Sequence, residues 1–228
     1  MDRPRRTHAE ARAQMREGIL RLGNAQLAEV GAAALSVREI ARGLGVSSSA
    51  IYRHVASRDE LLTLLLVDTY TELADATLGA MKSEALGARL AELARGMRGW
   101  AVRNPERWAL AYGSPVPGYA APAEQTTGPG TRVMAVFLMV LAQGAPIESG
   151  GAAGPISERL AAELSAGAAE FGIDVDPALA AAALEAWTGL IGLISAEVFG
   201  QLGPDLARHG AELLERWIAA TVARFDLA

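Results

Sequence analysis

The chain has 228 residues, 51% of them hydrophobic, with no cysteine and a formal net charge of −5. This length can hold one large domain or a small domain joined to a larger one. The absence of cysteine excludes disulfides and thiolate metal sites. Aromatic residues make up only 5%, and no segment alternates apolar and polar residues for long enough to indicate a sheet, so an all-α fold is predicted.

Charge is divided unevenly along the chain. Residues 1–58 contain ten arginines and five acidic residues, whereas residues 59–228 contain eleven basic and twenty-one acidic residues. A basic first part on an acidic body indicates that only the first part meets a polyanion, although a chance asymmetry gives the same counts.

Neither a signal peptide nor a membrane span is predicted. The polar start lacks the apolar core of a signal peptide. The apolar runs 133–142 and 186–196 have about half of the roughly 20 residues that cross a bilayer, so they are predicted to be buried helices. We therefore expect a cytoplasmic protein.

Ten segments along the chain have helical periodicity or helix-start signals. They are expected at about residues 9–31, 37–44, 48–54, 57–78, 90–100, 105–112, 133–141, 156–171, 177–201 and 204–225. A basic flexible arm, residues 1–8, precedes them. The packing stripe of the first helix is expected to comprise Met15, Ile19, Leu22 and Val30. The fourth helix begins with a reciprocal capping box between Ser57 and Glu60.

Two segments rich in glycine and proline interrupt this series. Residues 113–130 contain four prolines and four glycines, and residues 144–155 form a second glycine-rich stretch. Both are predicted to be loops. The helix between them, residues 133–141, is apolar on every side, as in a helix at the centre of a bundle.

The segment Leu35 to Val55 has the pattern of a helix-turn-helix. Ala41 is small where two steeply crossing helices need a small side chain, and Gly45 provides the positive φ of a sharp turn. Ser47 can cap the next helix. The exposed face of that helix carries hydrogen-bonding groups and no acid, which is typical of a major-groove reader: Ser48, Ser49, Tyr52 and Arg53.

This segment resembles the TetR (tetracycline-repressor) family of transcription regulators. The pattern S-V-R-E-I-A-x-x-L-G-V-S-x-x-x-I-Y-R-H-V followed by S-R-x-E-L-L matches the family signature, with Val55 where most members have Phe and Arg58 where Lys is usual. The resemblance covers residues 9 to about 66. It implies a three-helix DNA-binding head, residues 9–56, and a larger C-terminal helical bundle, residues 57–228, for ligand binding and dimerisation.

The resemblance also implies a function and a set of DNA contacts. The protein would be a transcriptional repressor that binds double-stranded DNA at a palindromic operator. Nine residues would make the contacts: Ser36, Arg38, Ser47, Ser48, Ser49, Tyr52, Arg53, His54 and Arg58. Arg38 would reach a guanine edge or a phosphate, Tyr52 and His54 would bind phosphates, and Arg58 would add a charge at the fourth helix. Packing between helices is the alternative role for Tyr52 and His54.

In this family the effector site lies inside the bundle of the middle helices. The candidate lining residues here are Met97, Trp100, Trp108, Tyr112, Met134, Phe137 and Leu141. Such a lining suits a hydrophobic or aromatic small molecule, although the same apolar stripes are equally expected in an ordinary core. The sequence leaves open whether the effector releases or promotes DNA binding, and no cofactor is expected.

A homodimer is the third implication, because the family pairs its last two helices with their twins. Two apolar stripes fit this role: Leu184, Trp187, Ile191, Ile194 and Val198, and Leu214, Ile218, Thr221 and Phe225. Burial inside one subunit is the alternative. The segment 187–192, Trp-Thr-Gly-Leu-Ile-Gly, is similar to the Trp-x-x-x-His-Gly motif of the WHG-type C-terminal subclass, with Ile191 in place of histidine.

The alternatives to a transcription regulator are an enzyme and a helical adaptor that does not bind DNA. An enzyme is disfavoured, because none of the three histidines, His8, His54 and His209, has a second metal ligand at useful spacing. The sequence also has no phosphate-binding glycine loop or nucleophile elbow. A helical adaptor would be distinguished by a lack of specific DNA binding.

Overall fold

The computed structural model describes residues 8–144 and 155–228. These residues form eleven α-helices and no strand, with a single 3-10 turn at Ala32–Ala34. The helices are α1 (His8–Val30), α2 (Val37–Gly43), α3 (Ser48–Ile51), α4 (Arg58–Leu78), α5 (Leu86–Arg103), α6 (Pro105–Tyr112), α7 (Ala123–Leu141), α8 (Glu158–Glu170), α9 (Pro177–Val198), α10 (Gly203–Ala207) and α11 (Gly210–Arg224). The all-α prediction is confirmed. Most of the predicted arm, residues 1–7, and most of the second glycine-rich loop, residues 145–154, lie outside the described residues.

The chain divides into two compact units. The first contains the residues up to Glu72 and Glu106–Gly130, and the second contains Leu73–Pro105 and Thr131–Ala228. Helices α4 and α7 contribute residues to both. The predicted boundary between a DNA-binding domain and a ligand-binding domain at residues 56 and 57 stays a prediction.

The first unit has an apolar core between α1, α2, α3 and the start of α4. Its side chains with at most 1% exposure include Ile19, Ile40, Ile51, Leu61 and Leu65. On α1 the buried stripe is Ile19, Gly23 and Leu27, which repeats every four residues on one face. The placement of Val30 in this stripe was wrong, since its side chain is 49% exposed. Helix α1 packs on the core through residues 19–27, and Val30 lies beyond this contact. The helix ends at the next residue, Gly31, whose φ is 73°.

Helix α3 is shorter than predicted. It ends at Ile51, and residues 52–54 form a turn. The N–H groups of His54 and Val55 both donate to the Ile51 carbonyl, at N···O distances of 2.8 and 3.0 Å. A tightened final turn of this kind satisfies the helix end without extending the helix. Tyr52 and Arg53 are therefore presented by a turn.

The loop predicted at residues 113–130 is shorter than expected, because α7 begins at Ala123 and contains Pro129. A proline inside a helix removes one hydrogen bond. Two contacts within the first unit are formed by the same part of α7. The Thr126 hydroxyl, buried to 8% exposure, donates to the Pro122 carbonyl at 2.8 Å. A Cβ on Gly130 would lie only 3.1 Å from the Tyr70 ring, so glycine allows this close approach.

Helix α9 is the central helix of the second unit, where α5, α8 and α11 pack against it. By length and composition alone, α9 could cross a membrane. Its Leu190 and Ile194 side chains are fully buried within the unit, as in the core helix of a globular protein.

The predicted dimer stripes lie largely inside this unit. Ile194, Leu214, Ile218 and Phe225 are all at most 6% exposed. Their assignment to an intersubunit surface was wrong, because α9, α5 and α11 pack together and cover these side chains. Three members of the α9 stripe are not fully covered within the unit: Leu184 is 41% exposed, and Ile191 and Val198 are half-buried.

The helix expected at residues 204–225 is divided in two. The short α10 begins at Gly203, whose φ is 71°, and α11 begins at Gly210. A Cβ on Gly210 would collide with the Glu197 carboxylate. That carboxylate pairs with the Arg98 guanidinium, with the Arg98 Nε 2.7 Å from the Glu197 Oε2. The glycine leaves room for this ion pair, and the division gives one helix more than the ten predicted.

Candidate nucleic-acid interface

The position of α2 is set by Ser36, one of the residues predicted to contact DNA. Its Oγ accepts from the Glu39 N–H at 3.3 Å, as an N-cap. Its own N–H donates to the Gln26 Oε1 at 3.0 Å. Ser36 therefore ties α2 to α1, and any DNA contact would come in addition to this structural role.

The turn between α2 and α3 has the geometry expected from the sequence. Ala41 is 2% exposed, and its carbonyl accepts from the Val46 N–H at 3.1 Å. Gly45 has a φ of 67°, a conformation in which a side chain would be strained. The small residue and the glycine thus occupy the positions predicted for them.

Helix α3 is capped by its own serines. The Ser47 Oγ accepts from the Ala50 N–H at 3.3 Å and shares a hydrogen bond with the Ser49 hydroxyl at 3.0 Å. Ile51, fully buried, anchors the helix to the core. All three serines are exposed, and the Ser48 hydroxyl forms no hydrogen bond within the described part of the chain.

Two arginines on this surface have no partner within the described residues. Arg38 at the start of α2 and Arg53 in the turn after α3 are both exposed and form no ion pair there. Arg42, by contrast, pairs with Glu39 at 2.7 Å. Tyr52 is 40% exposed, and His54 is half-buried. The exposed guanidinium and hydroxyl groups can bind phosphates or base edges.

Arg58 has a structural role that sequence reasoning missed. Its Nη2 donates to the carbonyls of Ala32 and Ala33, at 2.9 and 3.0 Å. These carbonyls belong to the 3-10 turn between α1 and α2, so Arg58 joins that turn to the start of α4. The partners lie 26 and 25 residues away in the chain, and no local pattern indicates them.

The capping box at the start of α4 is present in a modified form. The Ser57 Oγ accepts from the Glu60 N–H at 3.1 Å. The Glu60 carboxylate reaches back one residue further than predicted and accepts from the Ala56 N–H at 2.5 Å. Both bonds satisfy donors that a helix start leaves free.

Comparison with known proteins identifies the family. The family model described as "Bacterial regulatory proteins, tetR family" matches residues 19–65, and the model "Tetracyclin repressor-like, C-terminal domain" matches residues 90–221. The second match alone covers more than half of the chain. The protein belongs to the TetR family.

Relatives agree with this assignment to the TetR family. An HTH-type transcriptional regulator from Mycobacterium bovis is 44% identical over 202 residues, covering 86% of each chain. The crystal structure of regulatory protein SCO4313 is 32% identical, with a TM-score of 0.76, and the match covers 96% of this chain and 100% of that one. A transcriptional regulator from Pseudomonas aeruginosa PAO1 shares the fold, with a TM-score of 0.61 at 21% identity over 98% and 97% of the two chains.

The two family models and the M. bovis relative describe transcriptional regulators, so this chain is a DNA-binding TetR-family regulator and not an enzyme. Neither family match distinguishes the WHG-type subclass, which stays a prediction. Among the described residues, no group of three or more histidine or acidic side chains is arranged to hold a metal ion.

The seven candidate effector-lining residues of this TetR protein are divided between the two units. Trp108 and Tyr112 belong to the first unit, where their ring centroids are 4.4 Å apart. Burial raises the pKa of the Tyr112 hydroxyl. The other five belong to the second unit: Met97, Trp100, Met134, Phe137 and Leu141. All of these except the half-buried Met134 are at most 2% exposed.

The second unit also places aromatic rings that the sequence did not connect. Phe137 lies 5.4 Å from Trp187 and 6.3 Å from Trp217, between ring centroids. Trp187 is thus a packing residue on the inner side of α9. The effector-lining role of the buried residues stays a prediction, since core packing explains the same burial.

Proposed function

We propose that this TetR-family regulator is a repressor that binds a palindromic operator in double-stranded DNA as a homodimer. A hydrophobic or aromatic small molecule would modulate that binding. The observation that supports operator binding is the exposed pair Arg38 and Arg53, unpaired within the described residues, beside the hydroxyls of Ser48 and Tyr52. A regulator acts where the chromosome is, so the expected location is the cytoplasm.

The direct test is selection of duplexes from a random-sequence library by the wild-type protein. A palindromic sequence should be enriched, since a two-fold dimer presents two identical heads. The Arg38→Ala variant should bind that duplex about 1–3 kcal/mol more weakly and lose preference at one position in each half-site. Arg42→Ala is the matched control, because Glu39 already pairs with that guanidinium. Equal affinity for selected and scrambled duplexes would refute operator binding.

Tyr52 tests the assignment of phosphate contacts. Tyr52→Phe removes the exposed hydroxyl and keeps the ring. If the hydroxyl donates to a phosphate, affinity should fall by the same factor on selected and scrambled duplexes, because a phosphate contact carries no sequence information. Fluorescence anisotropy with both duplexes measures the two factors. A loss confined to the selected duplex would assign Tyr52 to base reading.

Repression itself is tested by transcription. A template with the selected operator placed over its promoter should be transcribed less in the presence of the purified protein. The same template with a scrambled operator is the control. Increased transcription from the operator template would identify an activator instead.

We propose that the two subunits pair through the outer face of α9. This face carries Leu184, Thr188, Ile191 and Ser195, four and three residues apart, which keeps them on one side of the helix. Leu184 and Thr188 are exposed, and Ile191 and Ser195 are half-buried. Gly192 is exposed, with no atom within 4 Å of the position a Cβ would take, so a second copy could approach closely. This face, and not the buried stripe, is the surface we propose for the family's usual pairing of subunits.

Effector binding would act through α4, which has residues in both units. A ligand that shifts this helix would change the separation of the two recognition helices in the dimer. That separation must stay near about 34 Å for both helices to enter successive major grooves. Whether the effector releases or promotes DNA binding depends on whether it moves the two recognition helices away from this separation or towards it. Operator affinity measured with and without the effector distinguishes the two.

Tryptophan fluorescence tests the position of the effector. Two variants, each retaining only Trp100 or only Trp108, should change their emission when a hydrophobic compound that alters operator affinity is added. If neither Trp100 nor Trp108 responds to such a compound, the proposed lining is refuted.

A further inference from the structure

A groove of about 810 Å³ opens in the first unit beside the predicted DNA contacts. Arg12 and Arg16 of α1 line it, together with Arg53 and His54 from the turn after α3. His8 completes the set of basic residues. None of the described residues that line the groove is acidic. Sequence reasoning assigned no role to Arg12 or Arg16.

The groove arises from a change of residue type along one face of α1. The core stripe of that face is Ile19, Gly23 and Leu27. Towards the N-terminus this face also carries Arg16 and Arg12, which lie three and seven residues before Ile19, since positions three, four and seven residues apart share a helix face. The apolar stripe thus becomes basic where the helix passes beyond the core.

The electrostatics of the groove favour an anion. Arg12, Arg16 and Arg53 are exposed and have no ion-pair partner among the described residues. Like charges that converge in a concave site repel one another, and they concentrate a positive potential that attracts anions. Met15 and Ile19 contribute an apolar floor, which reduces the screening of those charges by water.

An acidic residue also lies beside the groove. Glu60 lines an adjacent cavity of about 300 Å³ together with Arg16 and His54. Its carboxylate, however, accepts the Ala56 N–H at 2.5 Å and helps to cap α4. Glu60 does not line the groove itself, and among the described residues it forms no ion pair with the three arginines.

We infer that this groove binds the sugar-phosphate backbone of duplex DNA, with Arg12 and Arg16 donating to phosphate oxygens. The inference rests on the proposed operator binding. Two features select a DNA phosphate as the occupant. Arg53 and His54 belong both to the groove and to the predicted DNA contacts, and a guanidinium can donate two parallel hydrogen bonds to a phosphate. Residues of α1 thereby extend the interface beyond the helix-turn-helix.

Such contacts have a distinct thermodynamic signature. Each phosphate neutralised on duplex DNA contributes a slope of about −0.9 to the dependence of log affinity on log salt. They carry no sequence information. Arg12 and Arg16 should therefore strengthen binding to every duplex equally and make it more sensitive to salt.

The test uses the full chain with the duplex selected from the random library and a scrambled duplex, over a series of KCl concentrations. The double variant Arg12→Gln/Arg16→Gln should bind both duplexes on the order of tenfold more weakly at low salt, with a salt slope shallower by about 1.8. The ratio of the two affinities should not change. Arg21→Gln, which removes an exposed arginine of α1 outside the groove, should preserve the wild-type slope.

Each other outcome refutes a different statement. If the wild-type protein selects no duplex from the library, the proposed operator binding is refuted. The salt slope on the scrambled duplex then still tests whether the groove binds phosphate. If the wild-type protein selects a duplex and the double variant keeps its slope, the groove does not bind phosphate. An equal loss with Arg21→Gln would show a general effect of charge and would also overturn the inference. Thermal unfolding of all variants confirms that they fold.

Discussion

At the scale of single residues, Arg58 shows how one side chain supports the DNA-binding head. Its guanidinium donates to the carbonyls of Ala32 and Ala33, and its side chain is only 32% exposed. Arg58→Met should lower the free energy of unfolding by about 1–2 kcal/mol, because it removes charge-assisted hydrogen bonds. Arg42→Met removes a guanidinium that is 76% exposed, so the free energy of unfolding should change by less than about 0.5 kcal/mol. Urea unfolding compares the two, and equal effects would deny Arg58 this role.

At the scale of elements, Glu92 of α5 holds the connection from α4. Its carboxylate accepts from the N–H groups of Lys82 and Ser83 and from the Ser83 hydroxyl, at 2.8, 3.1 and 2.7 Å. The Ser83 hydroxyl bond is the largest cause that lowers the pKa of Glu92, and the two backbone bonds add to it. A lowered pKa means that the ionised form stabilises the fold above the unfolded-state pKa of about 4.3. This stabilisation is lost as the pH falls through the folded-state pKa.

The expected consequence is a difference between wild type and Glu92→Gln that depends on pH. The variant should be less stable at pH 7, and the difference should disappear in acid, where wild-type Glu92 is protonated. Urea unfolding across this pH range measures it. Glu84→Gln, an exposed residue of the same connection, should show no such dependence. A difference that persists in acid would assign the effect of Glu92 to packing.

At the scale of the whole molecule, the two sides of α9 should respond differently to charge. Leu184→Glu and Ile191→Glu place a carboxylate on the outer face and should shift the dimer towards monomer while the helix content is retained. Ile194→Glu buries a carboxylate among apolar side chains and should cost several kcal/mol of stability. Sedimentation equilibrium and circular dichroism separate the two effects.

Leu160→Glu is the matched control for the dimer. Leu160 lies on α8 of the same unit and is 42% exposed, but it is not on the proposed face. This variant should sediment as the wild-type protein does. If Leu184→Glu and Ile191→Glu also remain dimeric, the subunits pair through another surface.

The helix-turn-helix could be predicted from sequence because its determinants are local. The cap at Ser47, the small Ala41 and the positive φ of Gly45 each act within a few residues, and their roles are confirmed. The family signature includes the same positions, so residue pattern and resemblance agree. Periodicity likewise predicted α4, which buries Leu61 and Leu65, and α5, which buries Leu90 and Leu93.

Long-range packing decided the features that sequence reasoning missed. Helix α7 continues through Pro129 while Gly130 packs against Tyr70, 60 positions earlier in the chain. Arg58 reaches carbonyls 25 and 26 residues away. Periodicity identified the apolar stripes of α9 and α11, but it could not show whether a helix of the same subunit or of a second subunit covers them. The burial of a side chain depends on which segments pack against it in the folded protein. The periodicity of a helix shows only that one of its faces is apolar, and not which segment covers that face.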